Sequence, residues 1–556
     1  VWRWTALLGL SVLTFVVGLG RPAIQDADEA FYAESGREMI VSGDWITPHF
    51  NDEPRVNKPI LFYWLVALDY RTTGVGETAA RLWSALAGVG LAMAAAGVAR
   101  RWVGPGPDLL AGGIVATSLG LTRIARTALP DVPLACFVTI AIWALLEVFR
   151  TDAQASHPRR WLWLAAVATG LAFLTKGPVA VVLLGVVVPP AVWLEWRRNR
   201  GRATWPIGGI DILVAIAIVA AIATPWFILA TAANGRDFLR NFFLGENVDR
   251  FLTDRFNQSQ PVWYYGGVIV AGLLPWTPFF AMLVRPLARV LRTRTISDAG
   301  VRLAIWSIAP LLFFTASTGK QPRYILPCLV PIGVLLAREI WRRTAAGRRD
   351  TLVTALGVTT GVMVITVALL TARLAPLFRL ADASWTMAGP VLIGLAGLAF
   401  VAGSFVARET MRTLVWITAA AILAVTIEAS IFWRARPEAV ERVAARLVEA
   451  GAVDRPGSDV SVCACGAFAR NLGYYAHVRT IVSDSEADVR TFLTSSAIHF
   501  AVVDEPTLNR LEAELGRRFD RLLTVPYLDT ARLRLLDLLR DPDPLRVPAV
   551  VLVRTQ

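Results

Sequence analysis

Hydrophobic and polar positions alternate along this chain in long blocks. Apolar segments run over residues 5–20, 79–99, 109–122, 132–149, 161–175, 178–195, 209–231, 263–284, 303–317, 324–341, 352–373, 388–407 and 413–433. The pattern predicts thirteen helices near the length of about 20 residues that spans a bilayer. Alternate connections are short and arginine-rich: Arg100-Arg101, Arg159-Arg160, Arg197 through Arg202, Arg285 through Arg294, Arg338 through Arg349, and Arg408 with Arg412. Loops of that kind stay on the cytoplasmic side, so the other connections and the tail after Trp433 face outward. This assignment needs Pro59 to Tyr70, apolar but short, to lie as a helix at the outer interface without crossing.

Beyond Trp433 the period changes. Helical spacing is expected over Glu438 to Ala450, Ala467 to Tyr475 and Leu508 to Leu515. Strand-like runs occupy Val460 to Cys465, Thr480 to Val482, Ile498 to Val503 and Ala549 to Val553. We therefore expect a mainly α polytopic membrane domain over 1–433 and a small α/β domain over 434–556 on the outer side. The small domain carries no GxGxxG or P-loop, so no nucleotide site is expected there.

Composition fits that division. Hydrophobic residues make up 55% of the chain and mean hydropathy is +0.52, values of the polytopic membrane class. The net charge of +13 resides mostly in arginines between apolar runs, which makes nucleic acid an improbable partner. Arg21-Pro22 after the first run lacks the form of a cleavage site, so that run reads as a retained anchor. With no initiator Met, a few residues are expected to precede Val1. Of the four cysteines, Cys136 and Cys328 fall in apolar runs, and Cys463-Ala464-Cys465 is too closely spaced for an unstrained bridge.

The outer connections hold the candidate chemistry. The first contains Asp26-Ala-Asp28-Glu29, where Asp26 and Glu29 fit a capping box for a helix over Asp28 to Ile40. Asp28, in the first turn, is then free to face a substrate and is favoured as an anion by the helix dipole. Lys58, Lys176 and Lys320 are the only lysines in the chain, and each lies in an outer loop within two residues of a proline. Lys58 could be a snorkelling anchor, but its place thirty residues after Asp28 suits a phosphate ligand. Arg123, Arg126 and Asp131 end one helix and begin the next; Asp131 reads equally as a cap or as a second acid facing Asp28. Glu246, Asp249, Arg250 and Arg255 precede the aromatic run Trp263-Tyr264-Tyr265. Arginine beside aromatics can form an interfacial belt or a bidentate phosphate clamp. Lys320, Arg323 and Tyr324 make a fourth cationic loop. His49 reads as a solvent-facing or capping residue, and Glu428, in the last span, requires a partner, expected to be arginine.

Asp-Glu-Ala-Phe-Tyr-Ala-Glu from Asp28, Gly43 through His49, Lys58-Pro59, Glu246 through Phe251 and Arg323-Tyr324-Ile325-Leu326-Pro327, on a thirteen-span frame, resemble the polyprenyl-phosphate-dependent glycosyltransferases of the GT-C fold. Within these, the chain is most similar to the bacterial aminoarabinose transferases that modify lipid A. The resemblance covers residues 1 to about 433. Where that family often has Glu before Lys-Pro this chain has Asn57, so no Glu role is carried over.

The resemblance implies inverting transfer of 4-amino-4-deoxy-L-arabinose from undecaprenyl phosphate to lipid A phosphate, with polymyxin resistance as the outcome. It places the protein in the bacterial inner membrane as a monomer, with loops 21–78 and 232–262 building a periplasmic site. Asp28, Asp131 and Lys58 would be catalytic; Lys58, Arg126, Arg250, Arg255, Arg323 and Tyr324 would hold phosphate groups. Asp26, Glu29, Glu246, Lys176 and Lys320 are secondary candidates, and a divalent metal between the acidic loops is a further expectation. Two alternatives remain at this point. One is glycosylation of protein hydroxyls, which needs Asp28 as a true base. The other is a lipid transporter, which predicts mid-span charges and repeat symmetry.

Overall fold

A computed structural model describes residues 2–150, 157–198, 206–253, 259–345, 350–380, 388–431, 436–452, 462–465, 467–483, 485–494, 499–527 and 549–554. Among these, eight helices are long and apolar enough to cross a membrane, or nine if the pair Asp108–Ala116 and Leu119–Ala125, bent by 60°, forms one span. Of the other expected segments, 161–175 forms the continuous 19-residue helix Pro158–Lys176, and the rest fold as shorter or interrupted helices. Trp2–Phe15 has 14 residues and Ala388–Ser404 has 17. The 263–284 run breaks into Tyr264–Gly272, a 3-10 turn at Thr277–Phe280 and Ala281–Thr293.

Small side chains let the helices approach closely, as bundle packing in a bilayer requires. Glu77–Trp102 buries Ala85, Ala92, Ala95, Ala96 and Ala99 against its neighbours. At Gly120 an added Cβ would lie 2.7 Å from the Cα of Gly272, so two backbones touch there and only glycine fits.

Charge sorts the two ends of the bundle. At one end Arg100 pairs with Asp108 at 3.0 Å, Arg101 with Glu147 at 2.6 Å, and Arg302 with Glu195 at 2.5 Å. Asp131–Val148 starts at the opposite end, among the loops that carry the candidate chemistry. Pro59 to Tyr70 does form a helix, Leu61–Thr73, which buries Phe62, Tyr63, Val66 and Tyr70 against the Asp28–Ser42 helix and the next span.

The C-terminal region contains a five-stranded sheet in the spatial order Ile481–Ser483, Val462–Cys465, Phe500–Asp504, Ala549–Arg554, Asp520–Pro526. The first three pair in parallel and the last two antiparallel. Alternate residues of the central strands face opposite layers, following the two-residue strand period. Val462, Ala464 and Val502 meet the Ala439–Glu449 helix residues Val443 and Leu447. Cys463, Cys465 and Val503 meet Val489, Leu508 and Leu511 on the other side. The strand Asp520–Pro526 and the helix Glu486–Leu493 are additions to the sequence reading.

Candidate functional site

The site grows from the first loop. The Asp28–Ser42 helix begins after an extended Ala27 and has no side-chain cap. The expected capping box is therefore absent: Asp26 is drawn to a distant partner, and Glu29 divides its oxygens between Arg81, Ala128 and the nearby Gln25. Asp26 accepts the backbone N–H groups of Ala469 at 3.0 Å and Arg470 at 2.7 Å. Glu29 is fully buried and accepts from Arg81 at 2.7 and 2.9 Å, and from the N–H groups of Ala128 and Gln25, both at 2.9 Å. Burial alone would raise the Glu29 pKa, but Arg81 and the two N–H donors outweigh it and hold it below the ordinary value. Asp28, between these anchors, keeps a half-exposed side chain turned into a cavity.

That cavity, of about 610 Å³, collects residues from loops far apart in sequence. Asp28 is ion-paired with Arg323. Asp131, at the start of its helix, accepts from Lys176 at 2.6 Å and lies 3.4 Å from Arg323 Nε. Lys58 and Arg250 both donate to one oxygen of Glu246, at 2.9 and 2.7 Å. Tyr324 lies under the Lys176 ammonium, with 5.2 Å from Nζ to the ring centre.

Burial and the neighbouring Arg250 outweigh Glu246 at Lys58 and lower its pKa to about 8. The Glu246 carboxyl is also shifted down: burial opposes ionisation, yet Lys58 and Arg250 hold its pKa below the ordinary value. Five cations, Arg55, Lys58, Lys176, Arg250 and Arg323, line the cavity against three carboxylates, Asp28, Asp131 and Glu246. The surplus is two positive charges. Most of the rest of the wall is apolar, with Val179, Val182 and Leu183 among its residues, together with Phe313 and Phe314. Such a lining suits a dianionic phosphate carried on a hydrocarbon chain.

The fold thus brings Asp28, Lys58, Asp131, Lys176, Glu246, Arg250, Arg323 and Tyr324 into one cavity. Other expected site residues are placed elsewhere. Arg126 turns inward and donates to the carbonyls of Thr14 and Val17 at 3.0 and 2.7 Å, where it caps the first helix and leaves the cavity lining. Lys320 donates to the carbonyls of Ser317 and Gln260 at 2.6 and 3.0 Å, tying two loops together. Asp26 and Glu29 brace the loop from behind. Arg255 lies outside the described residues. Glu428 has the arginine partner expected for it, with Arg123 at 3.3 Å and Arg126 at 3.8 Å.

Two lining residues escape the sequence reading. Arg55 stacks on Phe31 with 3.7 Å from guanidinium carbon to ring centre, and Tyr32 lies one helix turn beyond Asp28. Only proximity to Lys58 and Asp28 in the sequence could have singled them out. Among the described residues no group of three or more His, Cys, Asp or Glu side chains is arranged to hold a metal ion. Each cavity carboxylate lies against a cation instead.

Comparison with known proteins agrees with this architecture. A family model described as dolichyl-phosphate-mannose-protein mannosyltransferase matches residues 10–234. The undecaprenyl phosphate-alpha-4-amino-4-deoxy-L-arabinose arabinosyl transferase of Edwardsiella ictaluri is 34% identical over 345 residues, covering 61% of this chain and 60% of that protein. Its namesake from Pseudomonas aeruginosa is 30% identical over 351 residues, covering 62% and 60%. The chain thus spans about 60% of the length of these curated relatives. The crystal structure of ArnT from Cupriavidus metallidurans bound to undecaprenyl phosphate superposes with a TM-score of 0.73, at 20% identity, over 99% of this chain and 98% of that one. The chain is similar in sequence to these arabinosyl transferases over about 60% of its length, shares the fold of that ArnT structure, and has the apolar helices of a multi-pass membrane protein.

Proposed function

We propose that this protein transfers 4-amino-4-deoxy-L-arabinose from undecaprenyl phosphate to a phosphate group of lipid A, with inversion, at the periplasmic face of the inner membrane. The observation that carries the reading is the surplus of two cations in an apolar-walled cavity. A phosphate acceptor is already ionised, so no strong base is needed. The protein's work is to position two anionic lipids and to stabilise the phosphate that departs. Lys58, Arg250 and Glu246 form the cluster suited to the departing undecaprenyl phosphate. Asp28 and Arg323 would stand where the sugar carbon reacts, with Asp131, itself held by Lys176, keeping Arg323 in place. This scheme needs no divalent metal, because its carboxylates are neutralised by side-chain cations.

A reading in which the acceptor is a protein hydroxyl draws on the mannosyltransferase family model. It would ask Asp28 to remove a proton from a neutral hydroxyl, whereas the Asp28 carboxylate is engaged by Arg323. A transporter without chemistry is disfavoured because the cavity's charges gather at one end of the bundle. Purified protein given radiolabelled undecaprenyl-phosphate aminoarabinose, with either lipid A or a Ser/Thr peptide, separates the three. Labelled lipid A, formed without a membrane gradient and in the presence of EDTA, is the expected product. Label on the peptide, or no covalent product at all, would overturn the proposal.

A further inference from the structure

A second cavity, of about 390 Å³, lies on the far side of the Asp28–Arg323 pair. Asp28, Leu129 and Arg323 line both spaces, so the pair forms the wall between them. The two spaces differ in character. The larger has a long apolar flank, whereas the smaller is lined by Gln25, Arg123, Thr127, Gln321 and Arg470 among others. Arg470 belongs to the C-terminal domain, and its guanidinium sits 5.6 Å from the centre of the Phe31 ring. Among the described residues no carboxylate pairs with that guanidinium, while Arg123 beside it shares Glu428.

We infer that this second cavity holds the anionic head of the acceptor, a phosphate monoester, and that Arg470 is its ligand from the C-terminal domain. The inference rests on the proposed transfer reaction and deepens it. Inversion requires the attacking and departing oxygens to lie on opposite sides of the sugar carbon. Two cavities meeting at one wall supply that arrangement, with the prenyl phosphate on one side, the acceptor phosphate on the other and the sugar at Asp28. The acceptor oxygen forms the new bond to the anomeric carbon as the bond to the prenyl phosphate oxygen breaks. The electron pair leaves on that oxygen. A dianionic monoester and a monoanionic diester become a monoanionic diester and a dianionic monoester, so charge balances and no proton moves. Arginine suits the acceptor side because its planar fork grips phosphate through two N–H donors. A site completed by the soluble domain also explains why that domain is fastened to the catalytic loop through main-chain bonds at the Ala469–Arg470 segment.

The test is steady-state transfer by the full-length protein, varying lipid A at saturating donor and then the reverse. Arg470→Gln should raise KM for lipid A by about tenfold, the scale of one lost charged contact, and leave KM for the donor within about twofold. Arg470→Lys should recover part of the loss, and binding of undecaprenyl phosphate alone should be unchanged in both variants. The side chain is exposed and the bond to Asp26 uses the backbone, so both variants should fold. Transfer by the wild type with an unchanged acceptor KM in Arg470→Gln, or with donor and acceptor KM rising together, would overturn this inference alone. No transfer to lipid A by the wild type would instead overturn the reading of the reaction.

Discussion

The carboxylate of Asp26 accepts the backbone N–H of Arg470 at 2.7 Å, which joins the first loop to the C-terminal region two residues before Asp28. The junction is reinforced around that point. Tyr475 accepts from the N–H of Ile24 at 2.8 Å and donates to Glu77 at 2.7 Å, and Asn471 donates to the Ile24 carbonyl at 2.8 Å. The C-terminal domain is thereby a clamp on the stretch that sets where Asp28 points. Asp26→Ala should leave Asp28 and Arg323 chemically intact but loosely held. Misplacement of a reacting group by about 1 Å can cost on the order of a hundredfold. We expect kcat to fall by about tenfold or more with a small change in donor KM, and Asp26→Asn, which keeps one acceptor oxygen, to be milder. Kinetics indistinguishable from wild type in Asp26→Ala would remove the clamp.

Glu29 and Arg81 form a buried ion pair, and their side chains are 0% and 1% exposed. Arg81 also donates to the carbonyls of Leu19, Pro22 and Ala23, so it closes the turn that leads into Asp28. Removing one partner strands a buried charge, a loss of about 3–5 kcal/mol. Glu29→Gln and Arg81→Met should each lower the melting temperature in detergent markedly. The double variant should recover part of the loss, because no unpaired ion is left. Two additive single-variant losses would show that the pair is not coupled.

Lys58 gives the reaction a pH dependence. Burial and Arg250 lower its pKa to about 8, against an ordinary value near 10.5. In the proposed reaction its ammonium form is the one that would hold phosphate. As pH rises through about 8 the free protein loses that proton, so kcat/KM for the donor should fall on the alkaline side. The bound donor phosphate, a monoanion, stabilises the ammonium, so the corresponding limb in kcat should lie at higher pH. In Lys58→Arg, whose guanidinium stays charged, the alkaline limb of kcat/KM should disappear or move upward. Profiles from about pH 6 to 10 decide this, and a limb that persists unchanged in Lys58→Arg assigns it to another group.

The parts of this picture legible in the sequence are those set by long-range averages. Hydropathy marks the helices, since each must present about 20 apolar residues to lipid. Charge asymmetry between connections places Asp28, Lys58, Asp131, Glu246, Arg250 and Arg323 at one end of the bundle, and the fold brings all six into one cavity. What was not legible depends on tertiary partners. Asp26 and Glu29 match a local capping pattern, yet Asp26 bonds to residues 443 and 444 positions away, and Glu29 to Arg81, 52 positions away. Arg126 shares a loop with cavity residues, but its guanidinium meets carbonyls that the end of the first helix leaves unpaired. Asp520–Pro526 opens on two charges and is mostly exposed, so its strand character comes from pairing with Ala549–Arg554.

Asp28 separates the two kinds of acceptor most sharply. If the acceptor is an ionised phosphate, Asp28 carries no proton in the reaction and acts on the sugar through charge and position. Asp28→Asn keeps the shape and removes the charge that opposes Arg323. We expect a loss of at least about a hundredfold in kcat, the scale of a single lost electrostatic contact at a reacting centre, with normal melting behaviour and normal binding of undecaprenyl phosphate. The solvent deuterium isotope effect on kcat in the wild type should lie near unity, because no proton is in flight. A large isotope effect in the wild type, absent in Asp28→Asn, would make Asp28 a general base and shift the reading toward a hydroxyl acceptor. Near-normal transfer by Asp28→Asn would take the residue out of the chemistry altogether.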